Sequence, residues 1–290
     1  MENWRDNSRV FLTLALPATF WLLLFFLVPL GLMWMMSFGE KTSITGVDIT
    51  WTLANYIRSF DPLYLGILGK SVWLSILTTA LCLIIAYPIA FGICFAPQHL
   101  KPLLLLLVIL PFWINLLIRT YALIAVFRTQ GYVNLGVGWI LGLFGVPFTP
   151  WELLYNNTAV VFGLVYVNLP FMVLPLYATI ERLDKDYLEA SLDLGASQLQ
   201  TFLRVTVPLT MPGIISGIIL VFIPSLGSFL TPDLLGGANA IMIGNVIERQ
   251  FKAANDWPFG SAISFLLMYV TFGALALRAL IAGRSKGVDI

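Results

Sequence analysis

The chain has 290 residues, 59% of them hydrophobic and 11% charged, with a mean hydropathy of +0.90. A soluble domain carries about 25% charged residues, so an ordinary water-facing surface cannot be covered from this composition. A net charge of +1, one histidine and two cysteines argue against a nucleic-acid partner and a protein-built zinc site.

The N-terminus is short and polar, with Arg5 and Arg9 before an apolar run from Val10 to Phe38. A signal-peptide core spans about 7–15 apolar residues; this run is longer and reads as a retained span. Crossing a bilayer takes about 20 apolar residues in helix. Six segments qualify: 11–36, 69–96, 103–126, 158–180, 210–231 and 260–282. Short alternating segments of the barrel type are absent from the sequence. The expected fold is therefore all-α, a polytopic membrane bundle of six transmembrane helices. Cys82 and Cys94 fall in the second segment and read as lipid-facing or packing residues. Eight prolines fall inside these spans (Pro17, Pro29, Pro88, Pro111, Pro170, Pro175, Pro212 and Pro224), each able to kink its helix.

An even number of spans places both termini on one side. If that side is cytoplasmic, it holds Arg5, Arg9, Lys101, Arg182, Lys185, Arg204, Arg278, Arg284 and Lys286, nine of the sixteen basic residues, on short segments. The positive-inside rule favours this orientation. It makes 37–68, 127–157 and 232–259 external and 181–209 internal. Arg119 then lies in the outer half of the third span, where a charge needs a partner or a cavity. Two readings stay open: a pair with Asp233 forming an outer gate, or a side chain snorkelling to lipid headgroups.

The internal segment concentrates five of the fifteen acidic residues. Asp184 can N-cap a helix, with Leu183 and Leu188 as a hydrophobic staple. Tyr187, Ala190, Ser191 and Leu194 recur at helical spacing and predict a packing face. Asp186, Glu189 and Asp193 form an acidic stripe. Gly195 ends the helix, and Ser197 with Gln200 starts a second one as a capping box, running to Pro208. The bland reading is a solvated connection between spans.

The spacing Glu189-Ala190-Ser191, Gly195, Val205-Thr206-Val207-Pro208 resembles the EAA signature of permeases in ABC (ATP-binding-cassette) importers, with Ser for the second Ala and Val for Ile and Leu. The resemblance implies a type I importer permease whose elbow, a coupling helix, docks into a cytoplasmic ATPase. It would place Glu189, Ala190, Ser191, Gly195, Pro208, Asp186 and Asp193 at or near that contact. The sequence holds no G-x-x-x-x-G-K-[ST] phosphate loop, so the chain is read as a transport subunit and not an enzyme. ATP and Mg belong to the partner ATPase, and no cofactor is expected here.

Further runs extend the likeness over nearly the whole chain: Leu110-Pro111-Phe112-Trp113, Leu169-Pro170-Phe171-Met172-Val173-Leu174-Pro175-Leu176-Tyr177, Asp233-Leu234-Leu235-Gly236-Gly237 and Asp256-Trp257-Pro258-Phe259-Gly260. They look like spermidine/putrescine importer permeases of the PotB/PotH type. Such a family implies a second homologous permease subunit, two ATPase copies and a periplasmic substrate-binding protein in the bacterial inner membrane. A polycation path calls for carboxylates and aromatic faces. The candidates are Asp233, Trp113, Tyr121 and Asn115, with Glu152 and Asp256 on the loops. For the aromatics an interfacial belt is the competing reading, and for Asn115 an interhelical hydrogen bond. An importer for another small solute is the first alternative. An ion-coupled secondary transporter is the second, disfavoured because no Asp or Glu sits in mid-span.

Overall fold

The computed structural model describes residues 8–43, 46–184 and 186–285; Arg5, Lys185 and Lys286 of the orientation argument lie outside them. Helices α1 (Ser8–Leu22) and α2 (Val28–Met36) join through a π turn at Leu23–Leu27. A two-residue antiparallel ladder, β1 (Glu40–Lys41) with β2 (Val47–Asp48), is the one exception to helix among the described residues. Then come α3 (Ala54–Ser59), α4 (Pro62–Phe95), α5 (Lys101–Ile109), α6 (Leu116–Phe127), α7 (Tyr132–Leu143) and α8 (Asn157–Ile180). The chain continues through α9 (Asp186–Asp193), α10 (Gln198–Thr201), α11 (Val207–Leu209), α12 (Met211–Leu226), α13 (Leu230–Gly236), α14 (Ile243–Lys252) and α15 (Trp257–Ser285).

Three helical stretches are long and apolar enough to cross a membrane without a sharp bend: Ala15–Met36, Pro62–Phe95 and Asn157–Ile180. They match the first, second and fourth expected spans. The sixth falls on α15, whose apolar part is Trp257–Gly273. The third and fifth differ from expectation. The segment expected at 103–126 is two pieces, Lys101–Trp113 and Leu116–Leu143, bent by 95°. Its helix tightens into a 3-10 turn at Leu110–Trp113, and Ile114 is extended at φ −91°, ψ 132°. Pro111 has no amide proton for a helical bond and its ring crowds the preceding turn. Asn115 then starts α6 by accepting a hydrogen bond from the Leu117 amide at 2.8 Å. The fifth expected span ends early, at Leu226, and its partner Gln198–Leu209 meets it at 67°.

The prolines likewise divide. Pro17, Pro88, Pro170, Pro175 and Pro224 sit inside helices. Pro212 is instead in the first turn of α12, where its missing amide proton costs nothing. Pro29 follows the π turn at Leu23–Leu27, and Pro208 follows a second one at Phe202–Thr206. In each case the residue before the proline donates to the carbonyl five positions back: Val28 to Leu23 and Val207 to Phe202. A proline cannot donate to the carbonyl four back and its ring clashes there; the widened turn accommodates the ring.

The chain divides into two compact units. One comprises residues 1–65 and 246–290, the other 66–245. In the first, α15 packs on α2 and α3, and Trp34 Nε1 donates to Tyr269 OH at 2.8 Å. Asp256 pairs with Arg58 at 2.9 Å and accepts from the Phe259 amide at 3.3 Å, capping α15. Burial lowers the Arg58 pKa, but the hydrogen bond to Asp256, the attraction of its charge and the smaller contribution of Tyr64 together outweigh that and leave it raised. The guanidinium also lies 3.8 Å over the Phe259 ring. Asp256, a loop candidate for the polycation path, is thus committed to holding α3 against the start of α15.

In the second unit α8 and α12 form the core. Val160, Met172, Val173, Leu176 and Val221 are fully buried. The helices approach closely because α12 presents Gly213 and Gly217. A Cβ on Gly213 would lie 2.8 Å from the Pro175 carbonyl oxygen, and one on Gly217 would lie 2.5 Å from the Met172 sulfur. Asn168, 3% exposed, bonds Leu164 O on its own helix and Ser225 Oγ on α12. Cys82 and Cys94 are free and buried, their thiols directed at the Val165 and Tyr177 carbonyls, which settles packing over lipid exposure. A backbone oxygen cannot move aside, whereas a thioether can. Gly213→Ala should therefore destabilise the purified protein by about 1–3 kcal/mol and Gly217→Ala by less, read as thermal unfolding in detergent.

Candidate functional site

Residues 181–209 fold as the expected elbow, and its turns follow local chemistry. Asp184 Oδ1 accepts from the Asp186 amide at 3.2 Å, at the start of α9. At the other end the Ala196 amide donates to Ser191 O and the Gly195 amide to Leu192 O. This is the Schellman pattern, which needs a left-handed residue, and Gly195 has φ +85°. Ser197 and Gln200 form the capping box in both directions. The two short helices are then tied by Ser191 Oγ to Thr201 Oγ1 at 3.0 Å. The serine that departs from the EAA signature is the residue that makes this tie.

The elbow is moored to the spans beneath it. Phe202 packs edge-on against Tyr87, with ring centroids 5.2 Å apart, and Tyr87 OH bonds Thr210 Oγ1 at 2.8 Å. Lys101 Nζ contacts both oxygens of Glu181, at 2.8 and 2.9 Å. Lys101 begins α5 and Glu181 follows the last residue of α8. A cation at a helix N-terminus and an anion at a C-terminus each oppose the helix dipole, so neither residue serves its own helix; each serves the other. Sequence reasoning missed this pair and the Asn168–Ser225 bond. The only signal was charge at the rims of two apolar segments.

The face Tyr187, Ala190, Ser191, Leu194 was expected to pack, and within this chain most of it is uncovered: Leu194 is 89% exposed and Tyr187 59% exposed. The inward positions are Leu183, Leu188 and Ser191, all half-buried. Leu188 and Leu192 border a groove of about 490 Å³ with Phe91, Phe95, Phe202 and Glu189. Helical spacing reports that a face is apolar without saying what covers it. Asp186, Glu189 and Asp193 are exposed, and Pro208 lies just beyond the π turn.

The residues expected along the outer path do not converge. Arg119 is 8% exposed, and its Nε and Nη1 have no hydrogen-bond partner. No Arg119–Asp233 ion pair forms among the described residues, and such burial also rules out the snorkelling alternative. The pair fails for a geometric reason. Thr231 and Leu235 are the inward face of α13, pressed on Gly163 of α8, and Asp233 between them points away and is exposed. Asn115 is a helix cap, and its side chain makes no interhelical hydrogen bond among the described residues. Trp113 is 75% exposed. Tyr121 is brought beside Glu152, in a cleft of about 870 Å³ that excludes Trp113, Asn115, Arg119 and Asp233.

Two consequences can be measured. Gly195→Ala forces a side chain into a left-handed conformation and should cost about 1–2 kcal/mol, seen as faster amide exchange across α9. Lys101→Met strands a half-buried carboxylate and should lower the thermal midpoint, with the charge-swapped pair Lys101→Glu/Glu181→Lys recovering most of the loss.

Residues 89–284 match the family described as binding-protein-dependent transport system inner membrane component. The chain is 47% identical over 250 residues to the spermidine/putrescine transport system permease protein PotB of Escherichia coli, covering 86% of this chain and 90% of that one. It is 42% identical over 261 residues to the PotB protein of Haemophilus influenzae, covering 88% and 90%. Its fold is similar to a chain in the crystal structure of a bacterial alginate ABC transporter in complex with an alginate pentasaccharide-bound periplasmic protein. That match has a TM-score of 0.75 at 18% identity and covers 96% of each chain.

Proposed function

Because this chain belongs to the binding-protein-dependent transport system inner membrane component family, we propose that it is the polytopic permease subunit of an ABC importer that carries spermidine and putrescine. The observation that carries the substrate is the 47% identity, over most of both chains, to a permease of that description. In this reading the six spans cross the inner membrane with both termini cytoplasmic. A second homologous permease completes the pathway, and a periplasmic binding protein delivers substrate to the outer loops.

Two copies of a separate ATPase bind ATP and Mg and close on them. The exposed side of the elbow is the surface for that closure. Leu194 and Tyr187 give an apolar face that this chain leaves uncovered, with Asp186, Glu189 and Asp193 as its charged border. The capped ends, the Ser191–Thr201 tie and the Lys101–Glu181 pair let the elbow move as one piece with α4, α5 and α8. Alternating access then follows as ATP closure pulls the elbow and opens the outer side, and hydrolysis resets it.

Reconstitution with the binding protein, the companion permease and the ATPase should give ATP-dependent uptake of labelled spermidine and putrescine. Uptake by the chain without any ATPase would instead establish an ion-coupled carrier, and uptake of neither amine would remove the substrate assignment. Glu189→Lys should cut uptake at least about tenfold, equivalent to 1.4 kcal/mol of lost coupling. The ATPase should be lost on purification while the thermal midpoint of the chain stays unchanged, because the side chain is exposed.

A further inference from the structure

A cleft of about 870 Å³ in the second unit lies far along the chain from the elbow, and its lining has the chemistry of an ammonium site. Tyr121, Ile124, Ala125 and Arg128 come from the C-terminal half of α6 and its cap; Glu152 and Tyr155 come from the segment before α8. A helix C-terminus presents carbonyl oxygens and the negative end of the dipole. Glu152 adds a carboxylate with no ion partner among the described residues. Its backbone oxygen accepts from Asn156 Nδ2 at 3.1 Å, which ties it to the residue that caps α8.

Tyr155 is placed with more constraint than a loop aromatic needs. Its backbone has φ +59°, a strained conformation for a tyrosine that costs of order 1–3 kcal/mol and clusters at functional sites. Its amide donates to Leu235 O at 2.8 Å. Its ring lies against Gly237, where an added Cβ would be 3.3 Å from Cδ1 and where φ is +59°. The ring direction is thus fixed from both sides, while the side chain stays 62% exposed. Tyr121 is 57% exposed in the same cleft. A carboxylate, a helix carbonyl end and two tyrosines suit a group that has only hydrogen-bond donors, a positive charge and an apolar stem. Arg128, the C-cap of α6, also lines the cleft and repels a second cationic group, so the site takes a single ammonium.

We infer that this cleft is a subsite for one primary ammonium of a linear polyamine, with Glu152 as ion partner and Tyr121 and Tyr155 flanking the methylene stem. The inference rests on the polyamine reading but adds a site to it. The test is a titration of the purified permease with spermidine, followed through its thermal midpoint, since a ligand at free concentration L that binds only the folded state raises it in proportion to ln(1 + L/Kd).

Wild-type protein should give a midpoint that rises logarithmically once spermidine exceeds its Kd. Glu152→Gln should weaken binding about tenfold and Tyr155→Leu should weaken it less, with Glu152→Asp retaining it and ligand-free midpoints of the Glu152 variants equal to wild type. Equal titrations for wild type and Glu152→Gln would overturn the subsite. So would a Glu152→Gln defect that appears only as weaker docking of the binding protein, loaded and empty alike, because Glu152 would then be a protein contact. Uptake by the wild-type complex separates the two claims. Spermidine uptake with no Glu152 dependence of binding leaves the importer standing and removes the subsite; absence of uptake removes the polyamine reading itself.

Discussion

In hydrocarbon a backbone amide or carbonyl without a partner costs several kcal/mol, and this chain repeatedly places residues that cannot donate where helices must run. Much of its local architecture answers that constraint. Two π turns take up the rings of Pro29 and Pro208. Side-chain oxygens of Asn115, Asn156 and Asp256 cap the helices that begin after breaks. Where Pro111 forbids a continuous helix, the chain turns by 95° and starts again. The bend in the third span is the outcome of one residue's missing proton and another's carboxamide.

Charge is handled with the same economy. Lys101 and Glu181 sit at helix ends of the wrong polarity and neutralise each other across 80 residues of sequence. Their pair fixes the point where α8 gives way to the elbow, so a displacement of the elbow reaches α5 as well as α8. Tyr87, Phe202 and Thr210 do the same for α4 and the entry to α12. A displacement of the elbow therefore has a physical route to the long apolar helices through named side chains. The stiffness of that route comes from satisfied hydrogen bonds and aromatic packing.

Much of this was legible in the sequence, and what was not follows a pattern. Hydropathy located the apolar segments, and the Gly195 turn and the Ser197–Gln200 box could be read because their chemistry lies within a few residues. The third span was drawn straight because composition carries no direction, and Asn115 was taken for a mid-span polar group when it is the start of a helix. The Tyr187–Leu194 face was read as a packing face with no direction, because periodicity marks a face as apolar without naming its cover. The Arg119–Asp233 pair failed because Asp233 shares α13 with Thr231 and Leu235, whose packing on Gly163 decides which way that helix turns. Lys101–Glu181 was invisible for the opposite reason, since nothing local to either residue points to the other.

Each π turn also stores one residue more than α geometry requires. Deleting one residue there would restore an ordinary turn without rotating the helix that follows, whereas a deletion elsewhere in a span would swing every later side chain by about 100°. In relatives where the residue aligned with Pro29 or Pro208 is not proline, single-residue gaps should gather at these two places. Differences in length between such chains would then record the loss of a ring, with the lipid-facing and core-facing sides left in register.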